Sequence, residues 1–459
     1  MWSEGAQEDE NGTDIVMEQG PATVPETAKQ VGEVRARWAW TEPSVWTERM
    51  LAALENGVKG GQWFSLIDKV YAKANLQRAF EKVKANGGAA GVDHQTIEMY
   101  EAHLEENLDQ IARALKGGTY RPQPVKRVWI DKPGTKEKRP LGIPTVRDRV
   151  VQSALRQVLE PIFERDFAEQ SYGFRPNRGA KDALRRVDTL LKAGYHWVVD
   201  ADLKSYFDTI PHEPMKKRVA TKVSDGRIMD LVTAMLKQGV METVGEWQPE
   251  AGTPQGAVIS PLLSNIYLDP LDHLMVVRGR EMVRYADDFV ILCRSEAEAR
   301  QVLEEVVEWT AQAGLTLHPE KTRIVDATQP GGFDFLGYHF ERGYRWPRRK
   351  SLKKLQDTIR KKTSRSSGYS LSVIISNVNR TLKGWFQYFQ HSHRTTFPLL
   401  DGWVRMRLRS ILRRRYGGYG RGRGLDHRYW PNAFFAEHGL FSLTTAHAQV
   451  RQPSSEVTH

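Results

Sequence analysis

Two apolar runs that end in aspartates constrain this chain more than any other feature of its sequence. YHWVVDADL (195–203) has the length and β-branched content of a buried strand, and it ends on acids. EMVRYADDFVILCRS (281–295) reads as two such runs about a tight turn at Ala286-Asp287-Asp288. An acid ending one strand, set beside a hairpin whose tip carries two more, would bring Asp202, Asp287 and Asp288 together. Convergent carboxylates suit phosphoryl transfer by two divalent ions about 4 Å apart, one activating a hydroxyl and the other neutralising phosphates. Helical stretches lie between and after the runs (RIMDLVTAMLKQG, EAEARQVLEEVVEWTAQAG). The order β, α, α, β-hairpin, α, β predicts an α+β sheet of the ferredoxin-like kind. A YADD string alone is a weak signal, because adjacent acids in turns are common and usually solvated.

Around this centre the chain divides into five stretches. Residues 1–60, rich in Glu, Gly, Thr and Pro, read as a poorly ordered acidic tail with a few Trp able to dock. Residues 61–195 begin with helical spacing from Phe64, broken by the Gly-rich NGGAAGVD (86–93). They continue through a hairpin about the basic turn Asp131 to Lys138 and return to helix at RDRVVQSALRQVLEPIFERDF. Residues 196–343 hold the acids. Residues 344–415 form three helices with apolar residues three and four apart, a small bundle. Residues 416–459 are basic and aromatic, a nucleic-acid-binding segment.

Charge placement names a partner. The net charge is +11, but Tyr344 to Arg428 holds 22 Lys and Arg against three acids, or +19, leaving 11 − 19 = −8 for the remainder. A solvated basic face is the plain alternative. It fits poorly, because Trp385, Phe386, Tyr388, Phe389, Trp403, Tyr416, Tyr419 and Trp430 interleave with the arginines, which suits nucleic acid. The single cysteine, Cys293, excludes an intramolecular disulfide and any multi-cysteine zinc site, and reads as a small buried hydrophobe. The N-terminus is acidic and polar, unlike a signal peptide, and no apolar run approaches the ~20 residues that span a bilayer. A cytoplasmic, nucleoid-associated protein with no membrane partner is expected; the oligomeric state stays open.

DLKSYFD (202–208), GTPQGAVISPLLSNIYLD (252–269) and YADD (285–288), in that order and at that separation, resemble the successive palm motifs of reverse transcriptases. The resemblance is to bacterial group II intron-encoded reverse transcriptase/maturases and covers about residues 64–430. It includes NGGAAGVD, RPLGIPTVRDRVVQ, SYGFRPNRGAKDAL, HPEKT (318–322), FDFLGY (333–338), NRTLKGWFQYF (379–389) and DGWVRMRLRSILRRR. It implies a right-hand polymerase with fingers, a ferredoxin-like palm and an α-helical thumb (maturase domain X). The ending YWPNAFFAEHGLFSLTTAH is similar to the subgroup that inserts at terminator-like or integron-type DNA hairpins, the group IIC kind.

The resemblance also implies residue roles. Asp202, Asp287 and Asp288 would hold two Mg²⁺ ions, with Mn²⁺ as a substitute and the Leu203 carbonyl as a further ligand. Phe207 would collide with a ribose 2′-hydroxyl and so favour dNTPs; Gln255, in Pro254-Gln255-Gly256, would line the sugar. Lys132 and Arg139 would clamp the triphosphate, as anionic phosphates require, and Ile143 would pack over the templating base pair. Lys321 stands where a cation could protonate pyrophosphate. Arg175, Trp385, Arg405, Arg407 and Arg409 are candidate template and primer contacts. Plain readings stand beside these: Phe207 as core, Arg139 as a surface ion pair, Lys321 as a helix-capping charge, Asp200 as structural.

Partners would be group II intron RNA, dNTPs, a primer and single-stranded or hairpin target DNA. About 30 residues follow Trp430, without cysteines, so no second-strand endonuclease is expected. Alternatives are a maturase that only assists splicing, a reverse transcriptase serving defence or diversification, and an RNA-dependent RNA polymerase, which bulky Phe207 disfavours.

Overall fold

The computed structural model describes residues 31–131, 138–238, 240–242, 245–247 and 256–451. The two acid-tipped runs form one antiparallel sheet. Its strand order is Glu281–Tyr285, Asp288–Cys293, Trp197–Asp202, Arg323–Asp326, with the last strand beside the first and the hairpin outside them. This is the ferredoxin-like arrangement that the element order predicts. Alternate side chains face opposite sides. Val199, Ala201, Phe289, Ile291 and Cys293 enter the large core beneath the helices, while Val198, Val283, Val290 and Leu292 enter a second core. Burial on both faces is why these strands are apolar without alternation.

The 138–143 strand pairs antiparallel with 125–131, from Lys126 opposite Ile143 to Asp131 opposite Lys138, so the expected hairpin forms. Its tip, 132–137, lies outside the described residues. Val240–Glu242 adds in parallel, and Gly245–Trp247 pairs with it. Behind them runs Val146–Glu164, capped by Thr145, whose hydroxyl accepts the Asp148 N–H at 3.1 Å. Its interior positions are buried nearly all round, as a helix enclosed by other helices requires.

A three-stranded sheet, Phe333–Phe335, Tyr338–Glu341 and Tyr344–Pro347, joins the palm to the helical bundle. Tyr338 Oη donates to the Tyr388 carbonyl at 2.6 Å and Tyr388 Oη to the Leu336 carbonyl at 2.7 Å, a reciprocal tie. The bundle helices are Arg349–Lys362, Leu371–Phe389 and Thr396–Arg415, packed through Ile359, Val378, Leu382, Val404 and Leu408. The boundary expected at 415/416 does not separate two bodies: Phe435, Leu443 and Ala446 enter the same core. Buried Asp401 caps the last helix, Leu443–Arg451, accepting from the Leu443 and Thr444 N–H groups, each at 3.0 Å. No helix among the described residues is long and apolar enough to cross a membrane.

The poorly ordered tail expected through residue 60 is corrected from residue 31 onward. Val31–Arg37 and Glu48–Asn56 are helices, and Trp38, Val45, Trp46, Leu51 and Leu54 sink into the main core. The Trp46 indole N–H donates to the Gln157 carbonyl at 2.9 Å, and its ring meets Trp63 edge-on at 5.5 Å. Average composition concealed these few large anchors. Residues 1–30 lie outside the described residues. Trp46→Ala should therefore destabilise the chain by about 3–5 kcal/mol, as loss of a fully buried aromatic does. Chemical denaturation measures this; an unchanged midpoint would contradict the docking.

Candidate active site

The hairpin tip is a two-residue turn. Tyr285 pairs with Asp288, leaving Ala286 and Asp287 to reverse the chain, with Ala286 at φ 60°. A positive φ at this position suits the primed turns of tight hairpins but costs a residue with a side chain of order 1–3 kcal/mol. Arg284, fully buried, offsets that cost. Its Nε donates to Asp272 Oδ1 at 2.7 Å, and one terminal nitrogen to the Ala286 carbonyl at 2.9 Å and Asn265 Oδ1 at 3.0 Å. The other bonds Ser171 Oγ at 2.8 Å and the second Asp272 oxygen. Asn265 in turn donates to the Gly173 carbonyl at 2.8 Å. A Cβ on Gly173 would stand 2.3 Å from the Ala286 nitrogen, so only glycine lets this loop press against the tip.

The acids share one edge. Asp202 is directly opposite Asp288, and Asp200, two residues earlier, lies on the same face. Burial, then Asp200, Asp287 and Asp202, push the Asp288 carboxyl up to about 7. Burial and Asp202 raise Asp287, and burial raises Asp200 against the pull of Arg323, 3.2 Å away. Lys321 Nζ donates to Asp202 Oδ2 at 2.6 Å. Among the described residues no three acidic or imidazole groups already stand as a metal cage. The donor chemistry is nonetheless that of a hard divalent cation: carboxylates crowded until one holds its proton, with an ammonium as counter-charge.

A carboxyl at about 7 in the folded chain and near 3.8 when exposed favours folding below the lower value, and that contribution is lost as pH rises through 7. A divalent ion held by these carboxylates would offset the loss where they are charged. Mg²⁺ should thus raise the melting temperature more at pH 8 than at pH 6, and Asp288→Asn should flatten the difference. Equal shifts at both pH values would contradict the crowded-acid account.

The other predicted residues fall into two groups. Leu203 is buried at the strand end, where the Asp202 carbonyl accepts the His318 N–H at 2.7 Å and Lys204 N–H bonds Thr316. Ser205, with φ 50°, turns the chain so that Phe207 sits half-buried and edge-on to Tyr206 at 5.4 Å. Gly256, at φ +107°, lies against the fingers strand; a Cβ there would meet the Gly142 carbonyl at 2.6 Å. That strand carries partly buried Ile143 and the backbone of Arg139. The Arg139 side chain, Lys132, Pro254 and Gln255 lie outside the described residues.

Three template and primer candidates are corrected. Arg175 is buried, bonded to both Glu164 oxygens at 3.0 Å and to the Ser171 carbonyl at 2.9 Å. Arg409, also buried, bonds the Trp430 carbonyl and Asn432, both at 2.8 Å, and Arg407 bonds Thr363 at 2.7 and 3.0 Å. These bonds occupy the whole Arg175 guanidinium and hold one edge of the Arg407 and Arg409 groups to their own fold. Arg405 is half-buried; Trp385 stacks on Phe389 at 4.8 Å between two cores.

The Arg284 network went unread in the sequence, although a charge inside the apolar run MVRY and Asp272 in an apolar helix were visible signs of a buried pair. Arg284→Met strands Asp272 and should cost about 3–5 kcal/mol. Loss of polymerisation should precede global unfolding as temperature rises; a full-activity variant would remove the network's role.

The sequence matches two family profiles: reverse transcriptase (RNA-dependent DNA polymerase) over residues 130–340, and the group II intron maturase-specific domain over 352–430. It is 33% identical to Protein YkfC of Escherichia coli K12, covering 75% of this chain and 95% of that protein. It is 31% identical to the group II intron-encoded protein LtrA of Lactococcus lactis, covering 57% of this chain and 54% of LtrA, so it spans about half of that relative. A 91 kDa protein in the cob intron of Schizosaccharomyces pombe is 30% identical over 54% of this chain and 38% of its own length. With a polymerase palm, a maturase bundle and a relative matched almost end to end, the chain belongs to the group II intron-encoded reverse transcriptase/maturases.

Proposed function

We propose that this chain copies its intron RNA into DNA at the acid edge and uses the bundle to bind that RNA and assist its splicing. The observation that carries the reading is Asp202 facing Asp288 across one sheet edge, with Asp287 at the adjoining tip. Two divalent ions (Mg²⁺, with Mn²⁺ as substitute), when bound, supply Lewis acidity to a primer hydroxyl and a triphosphate. Asp202, Asp287 and Asp288 would hold them, with the Leu203 carbonyl as a further ligand. Lys321, which donates to Asp202 Oδ2 at 2.6 Å, would give a proton to departing pyrophosphate. Phe207 stands against a ribose 2′-hydroxyl, and Gln255 lines the sugar. Lys132 and Arg139 clamp the phosphates, and Ile143 packs on the nascent pair. Single-stranded or hairpin target DNA supplies the primer.

Primer extension on an RNA template with dNTPs and Mg²⁺ tests the reading. Asp287→Ala with Asp288→Ala should abolish extension, at least a thousandfold, while RNA binding and splicing persist. Activity surviving this change would refute the site, and splicing lost with it would refute the separation of roles. Phe207→Ala should admit rNTPs; unchanged discrimination would place the sugar gate elsewhere.

A further inference from the structure

We infer that a cleft at the far end of the palm is a second nucleic-acid site, which takes a backbone phosphate of an unpaired strand and stacks a neighbouring base on Tyr344. The inference rests on the reading that this chain works on nucleic acid. The cleft, about 520 Å³, lies where the Ala180–Lys192 helix, the Tyr344–Pro347 strand, the loop between the second and third bundle helices and the last helix meet. Its lining carries Lys192, Arg345, Arg394 and Arg451 against one carboxylate, Asp188, or 4 − 1 = +3. Asp188 already holds Lys192 at 2.7 Å and Arg345 at 3.2 Å. Arg394 and Arg451 are exposed and form no ion pair among the described residues.

Three imidazoles enter the same cleft: His391, His393 and His447. Burial, then Arg345, Arg185 and Lys181, hold His391 below its usual range against the opposing pull of Asp188. Burial, then Arg451 and His393, do the same to His447. An arriving phosphate reverses that balance, so binding should take up protons. Tyr344 is 55% exposed, with its ring edge-on to His393 at 4.8 Å. An exposed ring beside unpaired guanidinium groups suits a base and its phosphate. Crowded cations also disfavour a metal here.

The cleft is not the catalytic one. Asp202 ends a strand whose other end, Trp197, follows Lys192 by five residues, and six strand residues span roughly 17 Å. Tyr344 likewise begins a strand that ends beside Arg348, whose charge is felt by Asp288.

The test is fluorescence anisotropy of a labelled 12-nucleotide RNA, the same sequence as DNA, and inorganic phosphate as competitor. The protein is first saturated with a hairpin primer–template duplex. The account expects a further binding event that strengthens as pH falls from 8 to 6. Arg394→Gln with Arg451→Gln should weaken it about tenfold and reduce its salt slope by about 1 to 2. Tyr344→Ala should weaken it by a similar factor without changing that slope. RNA bound over DNA identifies an RNA strand as the source; equal binding identifies a strand of either kind. No second event, or variants that bind as wild type does, overturns the inference. Primer extension in the same samples reads the polymerase separately: its absence with the second strand still bound defeats the proposed reaction and not this site.

Discussion

Arg284 and Asp272 are both inaccessible to water, and the ion pair between them fixes where the acid-tipped hairpin can lie. Removing two charges from water is costly, and the return comes only if every donor and acceptor finds a partner. Here the guanidinium bonds Asp272, Asn265, Ser171 and the Ala286 carbonyl at once. Those partners come from the Ser260–Val277 helix, from the loop before the Ala180–Lys192 helix and from the hairpin itself. The helix before the hairpin and the distant loop that carries Ser171 are thereby held against one turn. A hydrophobic pair of equal volume could fill the space, but it could not specify the tip's direction.

That direction matters because the acids repel one another. Asp200, Asp202 and Asp288 project from one face, and the further reaches of that face are sealed by Phe333, Phe335, Tyr338 and Phe389. Low solvent access strengthens the repulsion. A tip free to bend away would relax it and lose the site. The buried network keeps the carboxylates close together, and Lys321 supplies a counter-charge to Asp202.

The palm was legible because its residues serve two purposes at once. Strands buried on both faces must be apolar, so an aspartate ending one of them stands out, and the element order then allows few sheets. The bundle's three helices were legible from apolar spacing. Less legible were features in which one residue acts against its local composition. Trp38 and Trp46 dock a stretch whose average is polar and acidic. Arg407 and Arg409 belong to a basic segment that suggests nucleic acid, yet each ties one edge of its guanidinium to oxygens of its own fold. Charge counted along a sequence does not distinguish an arginine that binds outward from one that ties a helix down. Only three-dimensional partners separate Arg409 from exposed Arg394 and Arg414.

The account's central claim is that the edge formed by Asp202, Asp287 and Asp288 holds the ions of nucleotide transfer. Anomalous diffraction from crystals grown with Mn²⁺, an RNA–DNA primer–template and a non-hydrolysable dNTP tests it most directly. The account predicts two peaks about 4 Å apart bridged by these carboxylates, with Lys321 displaced from Asp202. Ordered nucleotide with the ions bound elsewhere, or with Lys321 still on Asp202 and no ion beside it, would contradict it.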